Sequence, residues 1–279
     1  MRLMGLLLTI VSLSACHQSL DESEKPTVAA TPLSFDGAQT SVPAAMRAHG
    51  ERLSHLLGCR GCHTVTLQGH LFNDDTPAIG KIYASNLTRV LPTMSDAQLE
   101  ALLRTGRHPV RSDLWVMPSE VFQRLSAADM AALIAHLRTV EPAGAPTPPP
   151  SFTERGRADI ASGKTKPVAD YVAKYQVKLP PDLGPTQAFG RYLVGATCSE
   201  CHGGDLTGIP DFEANLATPD LDIAGAYSEA ELARLISTGQ GKTPRDLGLM
   251  SEVGKTHFAY LTPHERSAIV GYIKARAAR

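Results

Sequence analysis

No segment of the 279-residue chain is apolar for long enough to cross a bilayer as a helix. The stretch Leu3–Leu13 is too short, since about twenty apolar residues are needed. Charge of one sign is also lacking. Lys and Arg number 27 against 28 Asp and Glu, for a formal net charge of −1, and no basic patch is dense enough to track nucleic-acid phosphates. Aromatic residues make up only 5% of the chain, little for a protein with two cores, and a bound apolar cofactor would supply the missing bulk. Cysteines number five, too few for a disulfide-stapled scaffold once their positions are considered.

Four of the five sit in two short segments, Cys59-Arg60-Gly61-Cys62-His63 and Cys198-Ser199-Glu200-Cys201-His202. Each reads C-x-x-C-H, the attachment signature of c-type haem. One helical turn presents two sulfurs for thioether bonds and an imidazole for the iron. The reading assigns two covalent c-type haems, with Cys59, Cys62, Cys198 and Cys201 as attachment points and His63 and His202 as proximal ligands. A four-thiolate zinc site would need both pairs to converge on one metal. A thioredoxin-like C-x-x-C needs a βαβ context, which the pattern lacks.

The fifth cysteine closes Leu13-Ser14-Ala15-Cys16, after Arg2 and the short apolar run. That is a secretory leader of lipobox type, similar to those of bacterial lipoproteins. Residues 1–15 are expected to be removed, Cys16 to be lipidated, and the protein to sit in the bacterial periplasmic space, anchored to the inner or outer membrane. Residues 16–45 are polar and broken by Pro26, Pro32 and Pro43, and read as a flexible tether. Residues 142–186 open on a proline-rich run and read as a linker wrapping the surface, with a short helix near Tyr171 to Tyr175.

What remains, 46–141 and 187–279, is an internal duplication. Gly50-Glu51-Arg52-Leu53 precedes the first haem motif as Gly190-Arg191-Tyr192-Leu193 precedes the second. Ser95 with Gln98 and Ser228 with Glu231 are capping boxes opening two middle helices, which end at Gly106 and Gly239. Ser126 and Thr262 open two terminal helices, after Phe122 and Phe258. With Ile82-Tyr83-Ala84-Ser85-Asn86-Leu87-Thr88 and Asn215-Leu216-Ala217-Thr218-Pro219-Asp220, these segments resemble the class I cytochrome c fold, twice over. More narrowly, the chain is similar to cytochrome c subunits of membrane-bound alcohol and gluconate dehydrogenases, although those usually carry three haem motifs. The resemblance implies an all-α architecture of two tandem cytochrome c domains, each wrapped around a haem. It also implies propionate contacts from Asn86 and Asn215, and packing of His136 and Tyr272 against the first helix of each domain.

A haem held by one histidine has an open face. Methionine there makes an electron carrier and raises the potential. Met117 lies 22 residues after Ser95, and Met250 lies 22 after Ser228, so the duplication selects these two as sixth ligands. Met94 and Met130 have no methionine counterpart and read as core. His49, His55, His70, His108 and His264 read as surface residues, while His257, seven residues beyond Met250, is its nearest rival. The function expected is electron transfer between a dehydrogenase or other redox donor and an acceptor such as an oxidase, with no catalytic residue. The rival is a dihaem enzyme, a peroxidase or a thiosulfate-oxidising cytochrome.

Overall fold

The computed structural model describes residues 33–73, 78–111, 114–213 and 216–279. The leader, Cys16 and Asn215 lie outside the described residues. Thirteen α-helices organise the described residues. The first unit holds α1 (Pro43–Leu56), α2 (Cys59–His63), α3 (Leu87–Val90), α4 (Asp96–Thr105), α5 (Ser119–Phe122) and α6 (Ala127–Leu137). Then come α7 (Glu154–Ala161) and α8 (Val168–Val177). The second unit holds α9 (Ala188–Thr197), α10 (Ser199–His202), α11 (Glu229–Thr238), α12 (Leu249–Thr256) and α13 (Pro263–Ala277).

Helix ends form where the sequence marks them. Ser95 accepts from the backbone of Gln98, which reaches back, and Ser228 and Glu231 do the same, so orphan amides are satisfied at the starts of α4 and α11. Gly106 and Gly239 end these helices in the left-handed conformation, at φ 66° and 72°. In each unit the first helix crosses the terminal one at a glycine. A Cβ on Gly50 would lie 1.9 Å from the Ala132 carbonyl oxygen, and one on Gly190 would lie 2.4 Å from that of Ala268. His136 and Tyr272 sit at these matched crossings, their Cβ atoms also close to the glycines.

The architecture is helix-rich rather than purely helical. Three two-stranded antiparallel pairs occur among the described residues. β1 (His70–Leu71) pairs with β3 (Tyr83–Ala84), and β5 (Ile209–Glu213) with β6 (Leu216–Thr218), each in the loop after a C-x-x-C-H turn. The third pair joins β2 (Gly80–Lys81) to β4 (Ser151–Phe152), which stitches the linker to the first unit.

Two stretches expected to be loose are packed. The tether ends earlier than residue 45: α1 begins at Pro43, and Phe35 is only 1% exposed, edge-on to Tyr192. The Phe35 amide donates to Asp129 Oδ2 at 3.0 Å and the Asp36 amide to Glu265 Oε1 at 2.8 Å. Asp129 and Glu265 are the N3 residues of α6 and α13, so one short strap ties the caps of both units. A buried carboxylate needs such donors, and they lie 94 and 229 residues away in sequence. The linker is also engaged, with Val168, Val172 and Tyr175 of α8 buried. The described residues form one compact body, and an apolar cluster runs from Phe35 and Leu53 to Leu193 and Tyr272.

Candidate haem-attachment sites

Each C-x-x-C-H segment is one helical turn, α2 or α10 with Cys198 at its N-cap, and each is followed by the same unusual backbone. Thr64, Leu67 and Gly69 have positive φ at one, four and six residues past His63, and Gly203, Leu206 and Gly208 repeat this past His202. The hydrogen bonds repeat too. The Leu67 amide donates to Thr64 and the Gly69 amide to His63, as Leu206 does to Gly203 and Gly208 to His202. The framework therefore holds both histidines alike, and Leu67 and Leu206 are buried beneath it. Sequence reasoning missed this framework, although the shared Leu-x-Gly spacing carried a signal for it.

Thr64 holds φ 66° and ψ 164°, a region in which a β-branched residue is strained; its counterpart Gly203 sits there freely at φ 81°. Gly203→Thr is therefore expected to lower stability by about 1–3 kcal/mol. Thr64→Gly should relieve strain of that kind and hold or raise the denaturation midpoint. Equal losses from both substitutions would contradict the strain.

The imidazoles are fixed by second-layer bonds. His63 Nδ1–H donates to the Ser85 carbonyl at 2.7 Å and His202 Nδ1–H to that of Pro219 at 2.8 Å. This sets the tautomer and leaves each Nε2 as a lone-pair donor, the arrangement an iron ligand requires. Burial lowers the pKa of both rings, against the opposing pull of the carbonyl bonds, and so favours the neutral, ligating form.

The thiols are held as thiols. Burial first, then the neighbouring Cys62, pushes Cys59 up to about 12. Burial first, then the charge of Glu200, pushes Cys62 up to about 11, and burial pushes Cys198 to about 11. These are not the depressed values of a reactive or metal-binding thiolate. Among the described residues, no group of three or more His, Cys, Asp or Glu could hold a metal ion, so the two C-x-x-C pairs do not meet as a zinc site. Two thiols and an oriented imidazole on one turn do fit a covalently attached haem.

Of the methionines, Met94 and Met130 are core, 8% and 1% exposed. Met117 and Met250 are only partly buried against the core, Met117 in the coil before α5 and Met250 in the first turn of α12. His257 is engaged elsewhere. Its ring lies on the first attachment turn, where a Cβ on Gly58 or Gly61 would approach it to 3.2 and 3.3 Å. Tyr260 stacks on His55 at 4.3 Å, and the charge of Glu200 reaches both Cys59 and Cys62. The second unit thus packs directly against the first attachment turn.

Other expectations change. Asn86 caps α3 rather than facing a propionate. Its Oδ1 accepts from Thr88, and its Nδ2 donates to the linker carbonyls of Ala143 and Ala145 at 2.8 and 2.9 Å. His49 is buried, bonded to Asp129 at 2.8 Å, rather than at the surface.

Residues 188–277 match the cytochrome c family. That family attaches a c-type haem through C-x-x-C-H, and the matched segment carries the second such turn, α10. Along most of its length the chain is similar to the fructose dehydrogenase cytochrome subunit of Gluconobacter japonicus. It is 27% identical over 273 residues, covering 87% of this chain and 56% of that protein. The chain thus spans little more than half the length of that relative.

Proposed function

We propose that the protein is a dihaem electron carrier, tethered to the membrane through Cys16 in the bacterial periplasm. The observation that carries the reading is the duplicated framework, in which two C-x-x-C-H turns share one set of backbone angles and one histidine–carbonyl bond. Haem, when bound, supplies a one-electron ferric–ferrous couple. Cys59 and Cys62 in one unit, and Cys198 and Cys201 in the other, would retain it as thioethers. His63 and His202 present Nε2 to iron while Ser85 and Pro219 hold their other nitrogen. Met117 and Met250 would close the sixth positions, leaving no site for a substrate. Buried Leu67 and Leu206 exclude water beneath the turns, and a drier pocket is one lever on potential. The donor would be a dehydrogenase, in keeping with the similarity to a fructose dehydrogenase cytochrome subunit, and the acceptor an oxidase or another cytochrome.

Mass spectrometry of the denatured protein should show two haem additions per chain, with an acylated N-terminus at Cys16. Haem that extracts into acidified organic solvent would remove the covalent reading. A high-spin ferric signal from one haem, with turnover of peroxide or thiosulfate, would replace the carrier by the dihaem enzyme.

A further inference from the structure

Where the two units meet the linker, a groove of about 490 Å³ is lined by Leu33, Leu179, Arg124 and Arg191. Arg124 has no carboxylate among its hydrogen-bond partners: Nη2 donates to the Tyr175 and Lys178 carbonyls at 2.5 and 2.7 Å, and Nε is buried with no partner. Burial first, and the like charge of Arg191 second, depress its pKa. Arg191 Nε donates to the Pro180 carbonyl at 2.7 Å, and its Nη1 lies 3.5 Å from the mostly exposed Asp182. Arg279 reaches the Asp182 carbonyl, and Lys178 pairs with Asp205 at 3.1 Å. The groove itself is thus lined by two cations, Arg124 and Arg191, against the one carboxylate Asp182, with Lys178 and Arg279 beside it.

The groove is apolar where it meets solvent, Leu179 being 46% exposed and Leu33 43%, and Val177, two residues before Leu179 in the chain, is 84% exposed. Leu33 is also where the chain arriving from Cys16 enters the described structure. Sixteen residues, 17–32, separate the two. Sixteen residues span at most about 53–58 Å even fully extended, so an anchor at Cys16 would keep this face within that reach of the bilayer.

We propose that this rim is a membrane-docking surface for anionic phospholipid, with Arg124 and Arg191 taking the phosphate and Val177, Leu179 and Leu33 entering the boundary below it. The proposal rests on the reading of Cys16 as the lipid anchor. It adds a second attachment, since a basic patch beside an acyl anchor strengthens membrane binding. It also fixes which face of the carrier is turned toward the lipid.

The test uses the full mature chain with haem bound, carrying Cys16→Ser behind an ordinary cleavable leader so that no acyl chain contributes. It should sediment with vesicles of equal parts phosphatidylcholine and phosphatidylglycerol at low salt, and not with phosphatidylcholine alone. R124Q/R191Q should lower partitioning about thirtyfold, with R124K/R191K retaining most of it. Should R124Q/R191Q fail to keep the parent haem spectrum, V177D/L179D, confined to exposed positions, should abolish binding by itself. Vesicle binding that is absent, or indifferent to these changes, overturns the proposal. So does displacement by inorganic phosphate at the same phosphate concentration, which would make the groove a soluble-anion site. The acyl mass at Cys16 of the unsubstituted protein is read separately. Its absence would remove the anchor reading, while a vesicle-inert chain would remove only the groove.

Discussion

Replacing Arg52 by alanine is expected to destabilise the fold by about 3–5 kcal/mol, because it strands a buried charge. The Glu265 side chain is wholly buried, and Arg52 meets it with both terminal nitrogens, at 2.8 and 3.0 Å. The same guanidinium bonds the Asp36 carbonyl at 2.7 Å and the Tyr260 carbonyl at 3.0 Å. Without it, Glu265 keeps only the backbone amides of Thr262 and Asp36 as donors among the hydrogen bonds described. Asp96, 72% exposed and paired with Arg138, is the contrast; Asp96→Asn loses only an exposed pair, which costs about 1 kcal/mol at most. Chemical denaturation of both variants separates the cases. Glu265→Gln in the Arg52→Ala background should recover part of the loss, since a neutral amide is cheaper to bury than an unpaired carboxylate. An Arg52→Ala midpoint no lower than that of Asp96→Asn would mean that the strap and its ion pair do not hold the units together.

Met117→Ala and Met250→Ala should each leave both haems attached and open one iron to carbon monoxide, with the other unchanged. The affected potential should fall, since a methionine sulfur favours the reduced iron. Axial ligands spread haem potentials over about 0.8 V, so a drop on the order of tenths of a volt is expected. Met94→Ala and Met130→Ala are the controls. Both side chains are core, and their loss should cost stability, about 2–5 kcal/mol, without creating a carbon monoxide site. Carbon monoxide binding by the unsubstituted protein, or by a control, would remove the assignment.

What the sequence made readable was local. Caps, helix-ending glycines and the C-x-x-C-H turns are set by residues a few positions apart, and the duplication doubled each signal. Gly50 and Gly190 could be matched because only a glycine tolerates so close a crossing. What could not be read depends on distant partners. Phe35 looks like part of a polar tail until Tyr192 and Asp129 are placed around it. Asn86 is a plausible propionate donor until the linker delivers the Ala143 and Ala145 carbonyls. The strands β1 to β4 are two residues each, below the length at which alternation is a signal. The strained turn at Thr64 emerges only by comparison with Gly203.

The strap has a consequence for taking the molecule apart. Cut between residues 141 and 187, the first piece would keep Arg52, the strap and Asp129 but lose Glu265, the second carboxylate the strap closes upon. The second would keep Glu265, with the Asp36 amide and the Arg52 guanidinium that meet it left behind on the other fragment. Neither half is a spare part that can be lifted out and studied or grafted.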